Sequence, residues 1–159
     1  MNIRPVTSED AEFLQTMLYE AARWNPDWPF EPMETVLAEP ILTRYHQGWG
    51  RPGDGGVVAE LDGVPVGACW YRQFTFEAPG YGFVDGKTPE LSIAVAPLHR
   101  RKGIGEALLR AAKVQAREEG FQALSLSVAA HNRSRMMYQR TGFEKVAEDG
   151  GSWTMVANL

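Results

Sequence analysis

The stretch Val95-Ala96-Pro97-Leu98-His99-Arg100-Arg101-Lys102-Gly103-Ile104-Gly105-Glu106-Ala107-Leu108-Leu109 decides how the rest of the chain is read. Upstream of it, Leu91, Ile93 and Val95 alternate with Ser92 and Ala94, the period-2 pattern of a strand, and Pro97 ends that strand. Downstream, Ile104, Ala107, Leu108, Ala111 and Val114 or Gln115 follow helical spacing, and Gly120 supplies a stop. Between them lies a basic turn containing glycine. The first turn of a helix has unpaired N–H groups and the positive end of the helix dipole. Gly103 and Gly105 leave room for a phosphate to approach the backbone, and Arg100, Arg101 and Lys102 add positive charge. Several converging donors suit a pyrophosphate better than a lone carboxylate.

Outward from this turn the chain alternates strands and helices. Residues 2–6 read as a strand, and Thr7-Ser8-Glu9-Asp10 offers N-caps and an acidic first turn for a helix running to about Trp24. A loop with three prolines, 25–32, leads to a second helix within 33–46, which Pro40 is expected to break or kink. Val57–Leu61 and Val64–Phe76 read as a hairpin about Asp62-Gly63. Residues 77–89 are a loop, Leu124, Leu126 and Val128 mark a fifth strand, and a short helix covers about 132–140. Strands at 143–148 and 152–157 flank Asp149-Gly150-Gly151. The expectation is an α/β (α+β) chain with about seven strands and about four helices, forming a single domain over residues 1–159.

Composition narrows the function classes. The chain has 159 residues, 44% of them hydrophobic and 23% charged, enough for a packed core and too apolar for disorder. One cysteine, Cys69, excludes a disulfide framework and a multi-cysteine zinc site, and it reads as a core thiol. No apolar run is long enough for a membrane span, and Met1–Pro5 lacks a signal-peptide core, so a cytoplasmic chain without membrane contact is expected. The net charge of −4 argues against nucleic-acid binding. Its distribution is uneven: residues 1–98 carry −8, residues 99–145 carry +6 and the remainder −2. A basic segment inside an acidic chain points to a local anionic ligand, or to arginines that coat two helices.

Three phosphate motifs fail here. The dinucleotide fingerprint needs glycine where Leu108 stands. Gly86-Lys87-Thr88 follows Gly82 at the wrong spacing for a P-loop, with Pro89 and a strand after it, and the kinase set is absent. What remains, Arg-x-x-Gly-x-Gly after a Val-x-Pro strand end and before an Ala-Leu-Leu helix, resembles the GCN5-related N-acetyltransferase (GNAT) family. His99 replaces the tyrosine common at that position. Ile3–Thr7 resembles the family's opening strand, Asp62–Gly67 its second hairpin, and Tyr138-Gln139-Arg140-Thr141-Gly142-Phe143 its closing Tyr-x-x-x-Gly-Phe.

The resemblance implies a strongly twisted mixed sheet whose fourth and fifth strands splay to admit acetyl-CoA. The backbone of Ile93 and Val95 would pair with the pantetheine amides. Residues Arg100, Arg101, Lys102, Gly103, Ile104, Gly105 and Glu106 would hold the pyrophosphate. It also implies a general acid at Tyr138 and a base near Glu90, while the family's asparagine lies seven residues before the tyrosine. Here Asn132 lies six before it and His131 seven, so either is a candidate contact for the pantetheine, and Glu90, His131 or water remain alternatives for the base. His46 and His99 read as surface residues.

Direct transfer from a thioester to an amine needs a proton acceptor, a polarised carbonyl and a proton for the leaving thiolate, and no metal. The resemblance implies acetyl transfer from acetyl-CoA to an amine, and the acidic first half would attract a small cationic acceptor. Trp24, Trp28 and Phe30 are expected to wall the acceptor, with the 77–89 loop opposite. A protein or peptide amino-group acetyltransferase, or a non-catalytic acyl-CoA-binding regulatory module, are the alternatives. The oligomeric state stays open, a homodimer included.

Overall fold

Asp62 and Gly63 both adopt positive φ, 52° and 78°, the combination a two-residue hairpin needs to match the twist of its strands. They join β2 (Gly55–Leu61) to β3 (Val64–Arg72). The computed structural model describes residues 1–159. The remaining elements are β1 (Asn2–Pro5), α1 (Ala11–Ala22), α2 (Met33–Leu37), α3 (Pro40–His46), β4 (Glu90–Val95), α4 (Ile104–Glu118), β5 (Ala123–Ala129), α5 (Ser134–Arg140), β6 (Glu144–Asp149) and β7 (Ser152–Asn158).

Pro40 breaks the 33–46 segment into two helices, one of the two outcomes expected there. Proline at a first helical position gives up no hydrogen bond, so α3 begins there, and five helices stand where about four were expected. β3 stops at Arg72 instead of Phe76 because β2 begins at Gly55, opposite Tyr71, and β4 begins at Glu90, opposite Arg72. Residues 73–89 form neither helix nor strand.

The seven strands form one sheet in the order β1-β2-β3-β4-β5-β7-β6. Every neighbouring pair is antiparallel except β4 and β5, which α4 connects and which run parallel. One face of the sheet packs on α4, whose Leu108, Leu109, Ala112 and Ala116 meet Val57, Cys69, Leu91, Leu126 and Met155. On the other face Leu14, Met17 and Leu18 of α1 meet Val58, Ala68 and Trp70. Each large side chain buried this way stabilises the fold by about 1.5–3 kcal/mol. Gly120, at φ 97°, ends α4 as its position in the sequence suggests. Its N–H reaches Arg117 O at 3.0 Å and the N–H of Phe121 reaches Ala116 O at 3.0 Å, a Schellman closure.

Candidate active site

β4 and β5 touch through a single register pair, Glu90 opposite Ser125, secured by Ser125 N–H donating to Pro89 O at 2.9 Å. Beyond it they splay. Ala96 N–H bonds Val66 O of β3 at 2.7 Å, so the even positions of β4 turn their backbone toward β3 and the odd ones, Ile93 and Val95, turn theirs into the gap. The gap opens into a cleft of about 1040 Å³ that takes in Ile93, Val95, the basic turn, Glu90 and Tyr138.

At one end of this cleft the chain leaves β4 through a short 3-10 turn, Pro97–His99, and enters α4 through Gly103. Arg101 sits at φ 62°, rare for a residue with a Cβ, and Gly103 at φ 80°. The first helical bond of α4 is Ala107 N–H to Gly103 O, so the N–H groups of Ile104, Gly105 and Glu106 have no helical partner. A Cβ at Gly103 would meet nothing within 4 Å, and one at Gly105 would come to 3.4 Å of Met137 Sδ. That open ground in front of free donors fits a pyrophosphate. Arg100 lies along the wall, donating through Nε to Val95 O at 2.9 Å and pairing with Glu20 at 3.1 Å. Glu106 points outward between Arg110 and Arg140, and their guanidinium groups, Arg140 foremost, hold its carboxyl below the usual value.

At the other end Glu90 is only 4% exposed. Tyr45 of α3 donates its hydroxyl proton to Glu90 Oε2, and Gly82 N–H donates to Oε1 at 2.9 Å. The N–H of Tyr81 in turn donates to the Tyr45 hydroxyl at 2.7 Å. Burial pushes the Glu90 carboxyl up to about 7, against the opposing pull of the bonds from Tyr45 and Gly82. Gly82 presses on β5: a Cβ there would lie 2.5 Å from Leu126 C and 2.7 Å from Ser127 N, so only glycine lets the loop close on the strand. Tyr138 is buried on α5, its ring edge-on to Phe143 at 6.1 Å, and burial drives its phenol well above the ordinary range.

Of the residues singled out from the sequence, Arg100, Arg101, Gly103, Ile104, Gly105, Glu106, Asn132 and Trp24 also line the cleft. Lys102, His131, Trp28 and Phe30 do not. Lys102 is exposed and turns away from the cleft that Arg101 and Gly103 line. Trp24 is covered on its flanks by Trp28 at 5.4 Å and His131 at 5.2 Å, while Phe30 is 82% exposed. Asn132 caps its own turn, its Oδ1 accepting from Ser134 N–H at 2.9 Å. His99, read as a surface residue, is half-buried against the cleft and its Nδ1 is buried without a partner. The sequence reading missed Tyr45 and Glu39, and it placed the 77–89 loop at the cleft without the bond from Gly82 to Glu90. The one available signal was a pair of glycines shortly before a carboxylate that opens a strand. No three His, Cys, Asp or Glu side chains gather as a metal site would require, and no helix is long and apolar enough to cross a membrane.

Residues 14–143 match the model of the acetyltransferase (GNAT) family. A mycothiol acetyltransferase of Propionibacterium freudenreichii subsp. shermanii is 33% identical over 117 residues, 73% of this chain and 36% of that protein, so the chain spans about a third of the curated relative's length. The crystal structure of ribosomal-protein-alanine N-acetyltransferase from Brucella melitensis superposes with a TM-score of 0.71 at 25% identity over 100% of both chains. That of the PaiA N-acetyltransferase from Thermoplasma acidophilum, in complex with coenzyme A, does so with 0.73 at 20% identity, again over 100% of both.

Proposed function

The chain belongs to the acetyltransferase (GNAT) family, and on that premise we propose that residues 1–159 work as one N-acetyltransferase domain, moving an acetyl group from acetyl-CoA directly to the amine of a small cationic molecule. The observation that carries this reading is one cleft that joins an anion-binding helix start to a buried carboxylate and a buried phenol. Acetyl-CoA would supply the activated acetyl thioester. The chain would hold it through the backbone of Ile93 and Val95 and through the free N–H groups of Ile104, Gly105 and Glu106, with Arg100 and Arg101 alongside. Glu90 takes the amine proton: a carboxyl poised at about 7 is ionised in half the molecules near neutral pH and still basic enough to accept. Tyr138, whose hydroxyl makes no hydrogen bond within the chain, gives its proton to the departing sulfur.

The charge of the acceptor follows from the cleft wall. Glu20 and Glu31 are each matched by an arginine, Arg100 and Arg23, while Glu39 beside Tyr81 has no ion-pair partner. One unmatched carboxylate near an aromatic wall suits an acceptor with a positive charge besides the reacting amine. The likeness to the ribosomal-protein-alanine enzyme supports a second reading, a peptide amino group. Against it, Gly82 seats the 77–89 loop directly on β5 and narrows the groove a peptide would need. Thiol release should be followed with small diamines, small monoamines and a peptide with N-terminal alanine. We expect kcat/KM for diamines to lead, and Glu39→Gln to erase that lead. Turnover with the peptide alone would replace the small-molecule reading. Binding of acetyl-CoA with no turnover on any amine would make the chain a binding module.

A further inference from the structure

Two elements far apart in sequence, α3 and the 77–89 loop, meet at the Glu90 carboxylate, and β3 locks α3 in place. Arg72, the register partner of Glu90 on β3, is 2% exposed and pairs twice with Asp54, at 2.9 and 2.8 Å. Its remaining donor reaches Arg44 O at 2.9 Å and Gln47 O at 2.7 Å, pinning the C-terminal end of α3 to the sheet. Arg44 then donates to Pro79 O at 2.6 Å, tying α3 to the loop before β4. Within this frame the Tyr45 ring lies 5.0 Å from Phe74 and stacks on Tyr81 at 6.3 Å. Its hydroxyl therefore has one place to be, between Tyr81 N–H and Glu90 Oε2. Gly80 completes the fit, since a Cβ there would stand 2.3 Å from Glu90 Oε1 and 2.6 Å from the Tyr45 hydroxyl.

We propose that Tyr45 is a positioning residue, which acts with the Gly80–Gly82 segment to hold the Glu90 carboxylate turned to the cleft in the orientation that receives the amine proton. The inference rests on the reading of Glu90 as the base. A carboxylate in a dry pocket with only Gly82 N–H as donor would rotate freely and would resist ionisation. Tyr45 adds the second donor, so each oxygen is fixed by one bond and the remaining lone pairs face the cleft. No other charge nearby does this work. Arg72 spends its donors on Asp54 and α3, Ser125 opposite on β5 is a neutral hydroxyl with no partner, and Glu20 and Arg23 of α1 are each paired elsewhere. Glu39 lies near Tyr81.

The test is the pH profile of kcat and kcat/KM for wild type, Tyr45→Phe, Gly80→Ala and Glu90→Gln, with acetyl-CoA binding by calorimetry as the check on folding. Phenylalanine keeps the ring packing and removes one bond to the charged form. The acid limb should then move up by about one pH unit, with turnover at pH 7 down about five- to tenfold and largely recovered near pH 9. The KM for acetyl-CoA should stay within about twofold, since uniform binding is untouched. Gly80→Ala, which pushes on the carboxylate from the other side, should lower kcat without weakening acetyl-CoA. Wild-type profiles in both variants while Glu90→Gln is inactive would overturn the positioning role and leave the base standing. Wild-type turnover in Glu90→Gln would overturn the base, and the role of Tyr45 with it.

Discussion

Replacing Glu90 with glutamine should make the protein more stable at high pH and leave it unchanged at low pH. In the folded chain the carboxyl is held at about 7, against an ordinary 4.5. Below 4.5 it is neutral both folded and unfolded. Between 4.5 and 7 the folded state keeps a proton that the unfolded state has released, so wild-type stability falls as pH rises through this window. The full loss is reached above the folded value, and a gap of that size corresponds to about 3 kcal/mol. Glutamine fills the same volume without the charge. Its oxygen can accept from Gly82 N–H, and its amide can donate to the Tyr45 oxygen. All other titrating groups are common to both proteins, so the difference between them isolates this site. Thermal unfolding at intervals from pH 4.5 to 8.5 is the assay. For a chain of this size the melting temperatures should coincide at the acid end and separate by about 6–12 °C at the alkaline end, with the variant higher. A difference that stays flat across the range would refute the argument, and would mean that the Glu90 carboxyl is no harder to ionise when folded.

Tyr138→Phe should lower kcat by about 10- to 1,000-fold with acetyl-CoA affinity intact, in steady-state assays and calorimetry; it also removes no intramolecular hydrogen bond, so unfolding should not shift. Gly105→Val should cost about 2 kcal/mol or more of acetyl-CoA binding by filling the space before the free N–H groups, whereas Arg100→Ala should cost less because that exposed charge is screened. Arg72→Met should destabilise by about 3–5 kcal/mol in urea titration, since it strands the buried Asp54 carboxylate. Trp24→Ala should raise KM for the amine while Trp28→Ala and Phe30→Ala change it little, because only Trp24 faces the cleft.

What the sequence disclosed was what local spacing encodes. Asp62-Gly63, the alternation before Val95 and the stripe on α4 are each set by neighbours within a turn or a pleat, and they appear where they were expected. Lys102 and Phe30 show the limit of that logic. Their residue types suit the jobs expected of them, yet a turn and a loop have an outside, and which residue lands there depends on packing partners elsewhere. Glu90 shows it more sharply. Alternation along Glu90-Leu91-Ser92-Ile93-Ala94 puts it on the face of Ser92 and Ala94. Its burial, however, is decided by Tyr45, by Gly82 and by the way Arg72 holds α3, all contacts that no periodicity reports. His131 lies seven residues before Tyr138 along the chain, and in space it covers Trp24 instead.

The single register pair between β4 and β5 has a mechanical meaning. It leaves the sheet as an antiparallel four-stranded part, β1 to β4, and a three-stranded part, β5, β7 and β6, with α4 packed across the seam. A seam with so few cross-strand bonds is where partial opening is cheapest, and the amides of Ile93 and Val95 should exchange their hydrogens faster than those of β3 behind them. A ligand bearing amides of its own, laid in the gap, would complete the ladder and act as the eighth strand. Its binding energy would then be read as cohesion between the two parts, about 2.7 kcal/mol at a ligand concentration a hundred times its Kd, delivered at the one place where the sheet is not already continuous.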